Sequence, residues 1–144
     1  MTRARAEIDR VWQSIVAMVI DTRGDWRRRV SEATGLSFTP VRALMRLAAA
    51  PLTLSELAES LGTDAPAATV AVNVLVTRGL ATRREHPSDR RAKLVSLTTA
   101  GRAVLRVVQS VPDPAPEALA ALSAQDSLAL TRIFGDARER SSKK

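Results

Sequence analysis

Residues 52–97, LTLSELAESLGTDAPAATVAVNVLVTRGLATRREHPSDRRAKLVSL, hold the pattern that decides the fold. Thr53-Leu-Ser-Glu56 has capping-box spacing, in which the threonine hydroxyl takes one orphan backbone N–H and the glutamate another. Leu54, Leu57, Ala58 and Leu61 then recur on one helical face. Gly62 ends that helix, because glycine enters the left-handed cap conformation cheaply. Asp64 is a good N-cap for a second helix, Pro66 is tolerated in its first turn, and Arg78-Gly79 closes it. Ala68, Val72, Leu75 and Val76 give this second helix an apolar stripe. Two short helices joined by a glycine-containing turn predict a helix-turn-helix.

From Leu80 the spacing stops being helical. A run of β-branched and charged residues turns at His86-Pro87-Ser88-Asp89 and returns as Lys93-Leu-Val-Ser-Leu97, which predicts a hairpin with a long tip. Arg83, Arg84, Arg90, Arg91 and Lys93 face only Glu85 and Asp89 in charge. A basic hairpin beside a helix-turn-helix is a winged helix. Its second helix enters the major groove of a duplex, while a wing arginine reaches the adjacent minor groove. The plainer alternative is an ordinary solvated tip, as charge runs often are.

The run LTLSELAESLG, the helix ending in TRGL and the segment DRRAKLVSLTTAGR resemble the DNA-binding lobe of the MarR family of bacterial transcription regulators. The most specific pieces are Asp89-Arg90-Arg91, matching an Asp-x-Arg wing signature, and Leu97-Thr98-Thr99-Ala100-Gly101, matching LT-x-x-G. The resemblance implies that Arg91 enters the minor groove and that Asp89 holds its guanidinium in place. An oriented arginine loses less side-chain freedom on entering a narrow groove of high negative potential.

The chain departs from that family in its recognition helix. Members carry several Ser, Thr and Arg residues near the start; here the matching positions are Pro66, Ala67, Thr69 and Val70, with Asn73 and Val74 a turn later. Thr69 and Asn73 keep hydrogen-bonding capacity, and asparagine is a natural bidentate partner for adenine. Ala67 and Val70 make only apolar contacts, for instance with thymine methyls. Base readout is therefore expected to be thin, with weight on the wing and on DNA shape. Val70 and Val74 on an exposed face also suit a protein partner.

The rest of the chain bounds the reading. Its 144 residues make one domain's worth, and 45% hydrophobic content suits a globular fold, though only 3% is aromatic. Net charge of +7, carried almost wholly by arginine, favours a polyanionic partner. Without cysteine there is no disulfide, zinc–thiolate site or thiol chemistry. His86 has no partners at any ligand spacing, and no phosphate loop or nucleophile elbow occurs, so neither an enzyme, a metal nor a cofactor is expected.

Residues 4–22 read as a helix with Ile8, Val11, Trp12, Ile15 and Val19 on one stripe. Glu7 and Asp9 interrupt its basic start, which argues against a signal peptide, and the apolar run 15–20 is far shorter than a membrane span. Gly24 is expected to kink or end this helix before a basic helical segment resumes at 25–29. Ser37 or Thr39 caps a further helix through about Ala49. Beyond the wing, Thr98 opens a helix that must stop near Ser110, because Pro112, Pro114 and Pro116 cannot continue it. In the resembled family that helix is longer and carries much of the dimer interface. A last helix opens at Ser123 and carries Leu128, Leu130, Ile133 and Phe134.

The expected fold is thus mainly α with a small β-hairpin wing. One domain, 1–144, comprises a winged helix-turn-helix lobe at 36–97 and N- and C-terminal dimerisation helices at 1–35 and 98–144. The dimer contacts are expected from Ile8, Val11, Trp12, Ile15, Val19, Leu128, Ile133 and Phe134, and the DNA contacts from Pro66, Ala67, Thr69, Val70, Asn73, Arg83, Arg84, Asp89, Arg90, Arg91 and Lys93. The resemblance implies a cytoplasmic homodimeric repressor on a pseudo-palindromic operator in double-stranded DNA, relieved by a small aromatic or anionic ligand. An architectural DNA binder and a winged-helix protein-interaction module are the alternatives.

Overall fold

A computed structural model describes residues 3–141, with side chains described through residue 135. Residues up to Pro112 form one compact unit and those from Asp113 onward a second.

The first unit opens with α1 (Arg3–Thr34), which runs unbroken through Gly24. The expected kink at that glycine is absent, and the reason is on either side of it. Trp26 and Val30, just beyond it, are buried in the core. Asp25 pairs with Arg28 and Arg29, and Arg28 also reaches Glu32, at i, i+3 and i, i+4 spacing. Hydrogen bonds to Asp25 first and Glu32 second raise the Arg28 pKa above its ordinary value. Together these outweigh the roughly 1 kcal/mol that a mid-helix glycine costs. The true stop is Gly35, in the left-handed conformation at φ +68°.

Helix α2 (Phe38–Leu47) follows, with Ser37 at its N-cap but without a side-chain capping bond. It buries Val41, Leu44 and Leu47 against Leu57 and Leu61 of α3 (Leu54–Leu61) and Val72 and Leu75 of α4 (Ala65–Thr77). The caps are those read from the sequence. Thr53 and Glu56 close a reciprocal capping box, Gly62 takes φ +63°, and Asp64 Oδ1 accepts from the Ala67 N–H at 2.8 Å. Near α1, Trp26 meets the edge of Phe38 at 6.2 Å in a T-shaped contact.

The hairpin is formed by β2 (Ala81–Glu85) and β3 (Lys93–Leu97), paired antiparallel from Ala81↔Leu97 to Glu85↔Lys93. A third strand, β1 (Leu52–Thr53), lies on the other side of β3, with Leu52 opposite Val95. The sheet order is therefore β1-β3-β2. Two residues are too few to show strand periodicity, so β1 is invisible to pattern reading. Its effect is to seat the wing on the start of α3, since Thr53 both ends the strand and caps the helix.

Helix α5 (Thr99–Ser110) is capped by Thr98 and ends ahead of the prolines, burying Leu105 and Val108. In the second unit, a short α6 (Glu117–Ala120) precedes α7 (Ala124–Ser141). Ser123 Oγ accepts from the Asp126 N–H at 3.1 Å, so the capping function expected at Ser123 is present.

Candidate nucleic-acid interface

The second helix of the helix-turn-helix is α4, and its inner face is fixed by Ala68, Ala71, Val72 and Leu75, all buried. Helical periodicity then turns Pro66, Val70 and Asn73 outward, where all three are exposed. Ala67 and Thr69 are half-buried. Val70 is 64% exposed, unusual for a β-branched apolar side chain. Shallow apolar hollows flank it. One of about 310 Å³ lies against Ser37, Thr39 and Pro40, and another of about 410 Å³ against Asn73, Thr77 and Arg78. Val70 and Val74 line both.

The wing meets this helix through its first strand. Alternation along β2 puts Ala81, Arg83 and Glu85 on one face of the hairpin and Thr82 and Arg84 on the other. Ala81 is buried, so Arg83 shares the face turned toward the helices. Its Nη1 donates to Asn73 Oδ1 at 2.6 Å. Sequence reading placed these two side chains in the interface separately. Their contact joins a helix to a strand ten residues on, and nothing in local spacing signals it.

The tip is a pair of nested turns. The His86 N–H donates to the Ala92 carbonyl at 3.1 Å, and the Ala92 N–H donates to the Asp89 carbonyl at 3.1 Å. Within the inner turn Asp89 Oδ1 accepts from the Arg91 backbone N–H at 3.0 Å. This is an Asx-type turn, with Arg90 and Arg91 at its two central positions and both exposed. The Asp89 carboxylate thus positions Arg91 through the backbone; among the described residues no ion pair links it to the Arg91 guanidinium. An aspartate opening a four-residue turn is the sequence signal that could have shown this. His86 has a local task of the same kind, its Nδ1 accepting from the Ser88 N–H at 3.1 Å. Lys93 sits across from Glu85, 4.0 Å away, and both are exposed, so its charge is partly answered within the hairpin. Arg83, Arg84, Arg90 and Arg91 give the wing its positive surface.

The base of the wing is held by Thr98. Its Oγ1 donates to the Gly79 carbonyl at 2.6 Å and accepts from the Gly101 N–H at 3.0 Å, while its backbone N–H donates to the Leu80 carbonyl at 3.1 Å. The end of α4, the start of β2 and the start of α5 are therefore tied at one residue.

An outward-facing helix with an arginine-rich hairpin fixed beside it defines a winged helix-turn-helix protein. The model of the MarR family matches residues 34–92. The fold extends well beyond that stretch. The transcriptional regulator BldR from Sulfolobus solfataricus superposes with a TM-score of 0.74 at 23% identity, covering 94% of this chain and 99% of its own. A probable transcriptional regulator from Pseudomonas aeruginosa is 29% identical, with a TM-score of 0.61 over 85% of this chain and 96% of its own. Sco3205, a MarR family transcriptional regulator from Streptomyces coelicolor solved in complex with DNA, gives 0.66 at 23% identity over 93% and 87%. No curated protein matches the sequence. Residues 34–92 thus match the MarR family model, and the chain has the winged helix-turn-helix fold of these structures.

The residues expected to form a dimer interface are apolar and mostly open to solvent. In α1, Ile8, Val11, Trp12 and Val19 are exposed, Trp12 at 63%, and Ile15 is half-buried. Ile20, absent from the sequence-based set, is as open as they are. In α7, Leu128, Ile133 and Phe134 are exposed. No helix among the described residues is long and apolar enough to cross a membrane.

Proposed function

We propose that this chain is a sequence-specific DNA-binding transcription regulator, a homodimer on a pseudo-palindromic duplex. Helix α4 lies in the major groove, and the wing carries Arg91 into the neighbouring minor groove. The observation that carries this reading is the Arg83–Asn73 hydrogen bond, which makes helix and wing a single preformed surface. A rigid pair of reading elements loses little freedom on binding. The net charge of +7 supports a polyanionic partner, and a similarly folded relative has been solved with DNA.

The homodimer is supported by the apolar side chains of α1 and α7, too many and too large to be left to water singly. A two-fold pair sets its recognition helices about 34–36 Å apart, one turn of DNA. The likeness of residues 34–92 to the MarR family supports a cytoplasmic repressor of nearby genes, relieved by a small aromatic or anionic ligand. Such a ligand must bind one spacing of the two lobes better than the other to act at all. No catalytic role is proposed.

A second reading, an architectural binder of low specificity, is favoured by one feature. Only Thr69, Asn73 and Thr77 supply hydrogen-bonding side chains along α4. Footprinting the purified protein on DNA from upstream of its own gene separates the two. The regulator gives two protected major-groove patches one turn apart at two chains per site. Uniform protection along the fragment would support the architectural reading instead.

A further inference from the structure

We infer that α4 is built to read thymine: Val70 packs on the 5-methyl group while the Asn73 amide donates to O4 of the same base edge. The inference rests on the DNA-binding reading above and deepens it to a base class.

Val70 and Asn73 stand three residues apart on α4, so they are neighbours on its outer face. Val70 is exposed, and valine has one strongly preferred rotamer in a helix, so its methyls are presented at little entropic cost. Asn73 would ordinarily offer either end of its amide. Arg83 removes that ambiguity. A guanidinium has donors and no acceptor, so the group it contacts at 2.6 Å is the oxygen, and the amide nitrogen with its two hydrogens is the free end. The positive charge on Arg83 also polarises the amide and strengthens it as a donor.

An apolar knob beside a donor is the complement of one base edge in the major groove. Thymine presents a methyl group and the O4 acceptor side by side. Cytosine presents its N4 amino donor and no methyl, so it would set donor against donor and leave Val70 over a gap. Bidentate pairing with adenine would make the Asn73 oxygen accept from N6 as well as from Arg83, and adenine offers Val70 no methyl group. The occupant is a duplex and not an apolar protein segment, because the same face is continuous, through Arg83, with the basic wing.

The test begins with selection of duplexes from a randomised pool by the purified full-length protein at physiological salt. In the best site each thymine is then replaced by deoxyuridine, which deletes only the methyl, and, with guanine set opposite in place of adenine, by 5-methylcytosine, which keeps the methyl but replaces O4 with an amino donor. The expected result is one thymine per half-site where deoxyuridine weakens binding about fourfold, the worth of one buried methyl. In Val70→Ala that deoxyuridine penalty should disappear, and in Asn73→Ala the preference for thymine over 5-methylcytosine should shrink. Both side chains are exposed, so both variants should fold. A sharply selected site at which no thymine is sensitive to deoxyuridine, or a penalty unchanged in Val70→Ala, overturns the inference while the regulator reading stands. A pool that yields no enriched sequence overturns both.

Discussion

Gly101, on the first turn of α5, lies so close to the carbonyl oxygen of Leu80 that a Cβ at this position would overlap it. Leu80 leads into β2, and its carbonyl also accepts from the Thr98 N–H. The Leu97-Thr98-x-x-Gly101 run is therefore a joint: threonine ties the helix start to the wing base, and glycine lets the two backbones touch. Gly101→Ala should displace that contact and lower stability by about 1–3 kcal/mol, the usual range for overpacking. Gly24→Ala is the opposite case, since a Cβ there meets nothing within 4 Å and the backbone is already helical. It should raise stability by roughly 0.5–1 kcal/mol. Urea midpoints of the two variants should move in opposite directions; an unshifted midpoint for Gly101→Ala contradicts the joint.

Thr53 holds two positions at once, the last of β1 and the cap of α3. Its hydroxyl accepts from the Glu56 N–H at 3.2 Å, and Glu56 Oε2 accepts from the Thr53 N–H at 2.9 Å. Thr53→Ala should cost about 1 kcal/mol, as lost caps do, whereas Thr53→Ser should recover most of it. Thermal unfolding of both variants checks this, and equal losses would mean that the methyl matters and the cap does not.

Caps and turns were legible because each depends on one or two neighbouring residues. Thr53, Gly62, Asp64, Gly79 and Thr98 act where their chemistry places them. The hairpin was legible as well, because a change from helical spacing to β-branched residues is itself a local signal. What escaped is non-local or too short. β1 has two residues, and the Arg83–Asn73 bond exists only once β2 has folded back beside α4. Gly24 was misjudged because the cost of a glycine is local, while the burial of Trp26 and Val30 that offsets it is tertiary.

Asp89 organises the wing tip through the Arg91 backbone N–H, which needs an oxygen acceptor and no negative charge. Asp89→Asn keeps such an oxygen, so it should preserve or slightly tighten DNA binding. Asp89→Ala should weaken it by loosening the turn. Fluorescence anisotropy on one duplex compares the two; if Asn weakens binding as much as Ala, the carboxylate acts through charge on the guanidinium instead.

Arginines on this surface are not equivalent. Arg91 is exposed at the tip, whereas the Arg27 guanidinium lies over the Phe38 ring at 3.9 Å. Arg91→Ala should weaken specific binding roughly ten- to hundredfold, the range for a lost charged hydrogen bond. Arg27→Ala should leave affinity nearly intact and reduce stability slightly. Equal losses of affinity would indicate a diffuse electrostatic footprint in place of an inserted wing.

The proposed regulator, with preformed reading elements on a two-fold dimer, should show itself above all as sequence discrimination. The most direct measurement is a titration of the purified protein at physiological salt against a labelled duplex from upstream of its own gene, beside the same bases scrambled. A preference of about a thousandfold or more is predicted, the usual floor for specific over non-specific binding. Weak, equal affinities for both duplexes, collapsing as salt is added, would contradict the account.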